Sequence, residues 1–171
     1  VRFGKTFSSL VNPEIEPSET ALMITGIKKD ELKEAPLWSK VKSELQEFIG
    51  NEMLIGHNIG FDLGYLENQG LKLKNSIFDT LEVSRTLLPL EASHSLESLA
   101  EGFAVLKDAP HRALVDCQNT ARIAAEILNK FLAYPKKLQG EIREILAKGE
   151  VDFIHMLSGL PPPLPKSIPT R

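Results

Sequence analysis

The sequence predicts an α/β protein, a mixed sheet flanked by helices. Two observations carry this. Short apolar runs of strand length, at residues 53–56 and 77–78, are separated by longer segments whose apolar residues recur every three or four positions. Strands that alternate with helices in this way build layered sheets rather than bundles or all-β sandwiches. The composition, 42% hydrophobic and 25% charged over 171 residues, is that of an ordinary globular chain and suffices for one packed domain with an appendage.

Taken in order, residues 1–11 are rich in Val, Phe, Thr and Ser around Gly4, the composition of extended chain near a hairpin, and predict one strand. Ser18 stands as a helix cap before Glu19, Ala21, Leu22 and Met23, with Gly26 suited to the exit, and a second short turn follows at 28–32. Leu37, Val41, Leu45, Phe48 and Ile49 recur at helical spacing, with Pro36 fitted to the first turn and Gly50 to the end. Residues 53–56 read as a buried strand, and the helix after it, with Leu63 and Leu66 inward, ends at Gly70. Ile77 and Phe78 form the second strand candidate, and the helix over 80–88 is stopped by Pro89. A short helix spans 95–103. The longest amphipathic pattern covers 113–132, through Cys117, Ala121, Ala124, Leu128 and Phe131.

Beyond Pro135, Leu138, Ile142, Ile145 and Leu146 predict a small amphipathic helix, and residues 151–157 another. Five of the eleven prolines fall after Leu160, which predicts an extended tail. The expected organisation is a main domain over 1–133, a helical appendage over 134–160 and a Pro-rich linker over 161–171.

The balance of 20 Lys and Arg against 23 Asp and Glu gives a net charge of −3, so nucleic acid would have to be met locally or through metal ions. A single cysteine, Cys117, excludes an intrachain disulfide framework and a thiolate zinc cluster, and fits a reducing, cytoplasmic setting. No apolar run approaches the ~20 residues that cross a bilayer, and no signal peptide is legible, so no membrane partner is expected.

Asp62 follows the first apolar run at the start of a helix, where an aspartate ordinarily satisfies free backbone amides. His111 sits just past Pro110, and Asp116 lies five positions on, with Ala113, Thr120 and Ile123 as helical neighbours. A carboxylate at the edge of so apolar a face needs a partner or a cation. Two of them brought together would repel unless a divalent ion neutralised them, and hard oxygen ligands suit Mg²⁺ or Mn²⁺. A histidine beside them can take a proton from water. These parts describe metal-assisted hydrolysis of a phosphodiester. Of the other polar residues, Asp79 is expected to cap a helix, His94 to precede one, His155 to serve surface or packing, Trp38 to anchor packing, and Cys117 to be an inert buried thiol.

The segment Leu54, Ile55, Gly56, His57, Asn58, Ile59, Gly60, Phe61, Asp62 resembles the second motif of the DEDDh branch of DnaQ-like 3′-to-5′ exonucleases, and His111 through Asp116 resembles the third. Phe78, Asp79, Thr80 and Leu81, the stretch from His94 to Ala100, and Val11, Asn12 and Pro13 with Ile24, Thr25, Gly26 and Ile27 are similar to intervening and preceding parts of that family, so the likeness covers residues 6–132. The resemblance implies an RNase H-like fold and stepwise release of nucleoside monophosphates from a 3′ end. It implies two Mg²⁺ or Mn²⁺ ions held by Asp62, Asp116 and an Asp-x-Glu pair on a central N-terminal strand, with His111 as general base. It also places Met23, Ile24, Thr25, Gly26 and Ile27, with Asn58 and Phe61, against the substrate. The Asp-x-Glu motif belongs upstream of Thr6 and is expected before Val1. Glu14 and Glu16 are no substitute for it, since they lie where the family has a loop.

The implied partner is single-stranded or 3′-terminal nucleic acid, DNA in preference to RNA, with a polymerase or helicase module covalently linked or associated. The implied role is proofreading or repair. A rival reading from another class is a catalytically impaired module that binds nucleic acid or organises a larger protein, and a third is an oligoribonuclease. An Asp-x-Glu pair before Val1 discriminates the enzyme from the binding module.

Overall fold

The computed structural model describes residues 3–105 and 113–146. The elements run α1 (Glu19–Thr25), α2 (Lys29–Glu34), α3 (Trp38–Ile49), β1 (Leu54–Gly56), α4 (Ile59–Asn68), β2 (Ile77–Asp79), α5 (Thr80–Leu87), α6 (Leu96–Gly102), α7 (Ala113–Ala133) and α8 (Lys136–Leu146). Local chemistry explains many of the boundaries. The Ser18 hydroxyl accepts the Ala21 N–H at 3.2 Å to open α1, and Gly26 closes it in the left-handed region at φ 64°. Ser95 opens α6 by accepting from Ser98 N at 3.2 Å.

β1 and β2 pair in parallel with Leu54 opposite Ile77, Ile55 opposite Phe78 and Gly56 opposite Asp79. Parallel neighbours need a crossover, and α4 supplies it. Behind this pair α7 packs against α5, α6 and β1, while α8 lies on α5. The core gathers Phe78, Val83, Leu87, Leu99, Ala100, Ile123, Ala124, Ile127, Leu128 and Phe131, with Ile142 of α8 joining the same cluster. Gln139 is buried and donates to the Leu132 and Tyr134 carbonyls at 3.3 and 2.7 Å, which fixes the turn between α7 and α8.

Several expectations are corrected. Residues 3–11 form no strand among the described residues; only Asn12 bridges Leu37, because extended chain becomes strand only where a neighbour pairs its backbone groups. β1 is not fully buried, since Ile55 is 43% exposed. On α3 only Val41 is buried, while Phe48 and the N-cap residue Leu37 are half exposed. The helix expected at 151–157 and the Pro-rich tail lie outside the described residues. No helix among the described residues is long and apolar enough to cross a membrane.

Candidate active site

The sharp turn between β1 and α4 organises the region. Gly56 ends β1, and a Cβ there would stand 2.6 Å from the Ile59 Cβ, so only glycine lets the chain fold back this closely. Asn58 then takes the left-handed conformation, φ 59° and ψ 41°, as the N-cap of α4, and its side chain makes no cap bond. The missing cap comes from another element. The Asp79 carboxylate, at the end of β2, accepts from Asn58 N through Oδ1 at 2.9 Å and from Ile59 N through Oδ2 at 3.1 Å. It also caps its own helix α5 by accepting from Leu81 N at 2.9 Å.

Thr80, fully buried, donates through Oγ1 to the Gly56 carbonyl at 2.9 Å. Its one proton is thereby used, so in the 2.9 Å contact with His57 it is the ring Nδ1–H that donates. Burial lowers the His57 pKa below its ordinary value, opposed by the Asp79 charge and the His94 carbonyl. A cleft of about 420 Å³ opens beside this turn, lined among others by His57, Arg85, Ser93 and His94.

Asp62 lies in the first turn of α4 and is exposed as a residue. Its carboxyl is nonetheless raised above the ordinary value, first by partial desolvation and further by the Asp79 charge, against the lowering effect of its own backbone N–H. Asp116 lies in the first turn of α7 and is half-buried. Extending the buried stripe of α7, Asn119, Thr120, Ile123, Ala124, Ile127, Leu128 and Phe131, back by one turn reaches Asp116. Cys117, next to it, is exposed, which corrects the expectation of a buried thiol. Its pKa is raised by desolvation, then by Asp116, then by Asp62. Both carboxylates thus bear on the Cys117 thiol.

Both are hard oxygen donors, and no lysine or arginine among the described residues pairs with either. This donor set fits a hard divalent cation. No group of three or more His, Cys, Asp or Glu poised to hold a metal is found among the described residues. His111 lies outside the described residues. Of the residues expected to meet substrate, Met23 and Ile24 are 79% and 54% exposed on α1 and Phe61 is 76% exposed beside Asp62. The bonds that fix the α1 exit are local: Gly26 N to Leu22 O at 2.8 Å, Thr25 Oγ1 to Ala21 O at 2.8 Å and Ile27 N to Thr25 Oγ1 at 3.3 Å.

A family model described as "Exonuclease" matches residues 2–124. The chain belongs to this exonuclease family. The DnaQ-like resemblance in the motifs agrees with it. The exonuclease domain is 36% identical over 151 residues to a DNA polymerase III PolC-type of Caldanaerobacter subterraneus subsp. tengcongensis, covering 86% of this chain and 11% of that protein. It is 35% identical over 128 residues to the DNA polymerase III PolC-type of Bacillus subtilis, covering 71% and 9%. The chain therefore spans about a tenth of the length of these curated relatives. A solved structure, "Exonuclease X in complex with 5' overhanging duplex DNA", superposes with a TM-score of 0.60 at 24% identity, over 78% of each chain, which shows the RNase H-like exonuclease fold.

The sequence singles out Asp62 and Asp116 but does not show the bonds from Asp79 and Thr80 to the β1–α4 turn. The Asp-Thr pair is visible in the sequence as a helix cap; its reach across to residues 56–59 exists only once β1 and β2 pair.

Proposed function

We propose that this exonuclease domain removes nucleotides one at a time from the 3′ end of a DNA strand, as the proofreading part of a longer polymerase III of PolC type. What supports the reading is the match of residues 2–124 to the exonuclease family, beside the places of Asp62 in the first turn of α4 and Asp116 in the first turn of α7. Likeness to PolC-type proteins supports the polymerase setting, in preference to a helicase module.

In this reading Asp62 and Asp116, completed by an Asp-x-Glu pair supplied upstream, hold Mg²⁺ or Mn²⁺. Bound there, divalent ions would supply charge neutralisation at the phosphodiester and a more acidic water. The remaining work falls to the chain. His111 takes a proton from the attacking water and so has to be neutral at working pH. Phe61 and the exposed apolar pair Met23 and Ile24 stack or wedge against the terminal bases, with Thr25, Gly26 and Ile27 continuing that surface and Asn58 shaping the approach to Asp62. Contacts of this kind tolerate any sequence, as removal of a misinserted nucleotide requires.

The test uses full-length protein and a 3′-labelled oligonucleotide. Asp62→Asn, Asp116→Asn and His111→Ala should each lower turnover by about 10²- to 10⁴-fold, with little change in melting temperature. Turnover equal to the parent in any of the three removes that residue from the machinery. Retained DNA binding without turnover in the parent would favour a binding module.

A further inference from the structure

We propose that Asp79 is a positioning residue for Asp62, acting through the backbone at the start of α4 without touching metal or substrate; this rests on the reading of Asp62 given above. A helix cap needs one side-chain oxygen and one N–H. The bond from Leu81 N to Asp79 Oδ1 at 2.9 Å meets that need for α5. Asp79 does more, because Oδ1 also takes Asn58 N at 2.9 Å and Oδ2 takes Ile59 N at 3.1 Å, on a helix some twenty residues upstream.

That second helix has no cap of its own. Asn58 occupies its N-cap position in the left-handed region, and no side-chain bond closes the turn locally. The sheet register sets Asp79 directly across from Gly56, the last residue before the turn. Thr80 completes the grip by donating to the Gly56 carbonyl at 2.9 Å and accepting from His57 Nδ1 at 2.9 Å. Two adjacent residues, Asp79 and Thr80, therefore hold four consecutive ones, Gly56 to Ile59. Asp62 follows in the first turn of the helix so anchored, and its direction of approach is set by where that turn begins. Bonds to a carboxylate are the stronger kind, and holding the element that carries a ligand is how residues outside the ligand set affect a metal site.

Asp79→Ser separates this role from capping. A serine hydroxyl can still accept from Leu81 N and cap α5, but it cannot reach Asn58 and Ile59 at the same time. In the full-length protein, Asp79→Ser should retain a melting temperature close to the parent. The peptide covering residues 57–62 should exchange amide hydrogens about tenfold faster in the metal-free protein, while residues 81–87 stay protected. Mn²⁺ affinity by calorimetry and kcat should each fall by about 10- to 100-fold, with the KM for oligonucleotide unchanged. Asp79→Asn, which keeps Oδ1 and loses only the acceptor for Ile59 N, should show smaller losses in the same order. Should the serine variant prove unstable, the asparagine variant carries the test with the same readouts.

Unchanged Mn²⁺ affinity and exchange in Asp79→Ser would overturn the proposal, as would losses confined to residues 81–87. Asp62→Asn, measured in parallel, separates the two failures. If it abolishes Mn²⁺ binding while Asp79→Ser is normal, only the positioning role falls; if Asp62→Asn is itself normal, the reading of Asp62 falls with it.

Discussion

Replacing Gly56 by alanine should destabilise the domain by closing a space that does not exist. The added Cβ would meet Ile59 Cβ, Cγ1 and Cδ1 at 2.6, 2.7 and 2.9 Å, where carbon atoms ordinarily rest about 3.5–4.0 Å apart. Gly56 is not among the glycines at positive φ, so its backbone would accept alanine and the cost is one of volume alone. Ile59 has little room to yield. It is 8% exposed, and its N–H is held by Asp79 at 3.1 Å. Overpacking of this kind costs about 1–3 kcal/mol, and for a chain of this size each kcal/mol lowers the melting temperature by roughly 2–4 °C.

A double-mutant cycle distinguishes this cause from general damage. Ile59→Ala alone should cost about 2–5 kcal/mol as a core truncation. It also removes Cγ1 and Cδ1, two of the three crowded atoms, so the pair of changes together should cost at least about 1 kcal/mol less than the sum of the singles. Urea unfolding followed by far-ultraviolet circular dichroism gives the four free energies. Additivity within about 0.5 kcal/mol, or a Gly56→Ala midpoint equal to that of the parent, would refute the close approach of Gly56 to Ile59.

Phe131→Ala empties the centre of the cluster where α7 meets its neighbours, with the ring wholly buried, and should cost about 3–5 kcal/mol in the same unfolding assay; a change under 1 kcal/mol would place that ring elsewhere. Because burial holds His57 below its ordinary value, the unfolded chain binds a proton that the folded chain refuses between about pH 6.5 and the lower folded value. Stability from this source is complete above that window and falls as pH drops through it; melting curves from pH 7.5 to 5 should therefore steepen in the parent and flatten in His57→Gln, and equal slopes count against it. Excess chelator should silence the full-length enzyme, Mg²⁺ or Mn²⁺ should restore it and Ca²⁺ should not; turnover surviving in chelator would remove the metal reading.

Much of the helical framework could be read from the chain because its signals are local. Ser18 and Gly26 bracket α1 within eight residues, Pro36 and Gly50 bracket α3, and Asp79 caps α5 two residues away. What failed depends on which neighbour arrives. Residues 3–11 have strand composition but find no ladder partner among the described residues, and Ile55 has strand spacing but keeps an open side. Cys117 was placed with Ala121, Ala124, Leu128 and Phe131 on the apolar face of α7; Ala124, Leu128 and Phe131 are buried there, whereas Cys117, a turn or more nearer the start of the helix, is exposed. At the site, Asp62 and Asp116 could be singled out from residue type and motif. The Asp79 and Thr80 grip could not be, since no periodicity records a bond between residues some twenty apart.

Three shifted groups around the β1–α4 turn and the start of α7 move in one chemical direction. His57 is pushed down, and Asp62 and Cys117 are pushed up, so each is biased toward its uncharged form, with desolvation the first cause in all three. Negative charge adds to the effect on both acids, through Asp79 at Asp62 and through Asp116 and Asp62 at Cys117. A neighbourhood that disfavours charge and still carries several carboxylates is short of positive charge. Asp62 and Asp116 sit in first turns of helices, where the positive end of each backbone dipole supplies only about half an elementary charge. In the proposed reading a divalent cation would meet the shortage, where desolvation strengthens its attraction. Asp79 belongs to the same balance: its charge raises the cost of ionising Asp62 while its oxygens hold the helix that presents it, so one carboxylate both opposes and positions another.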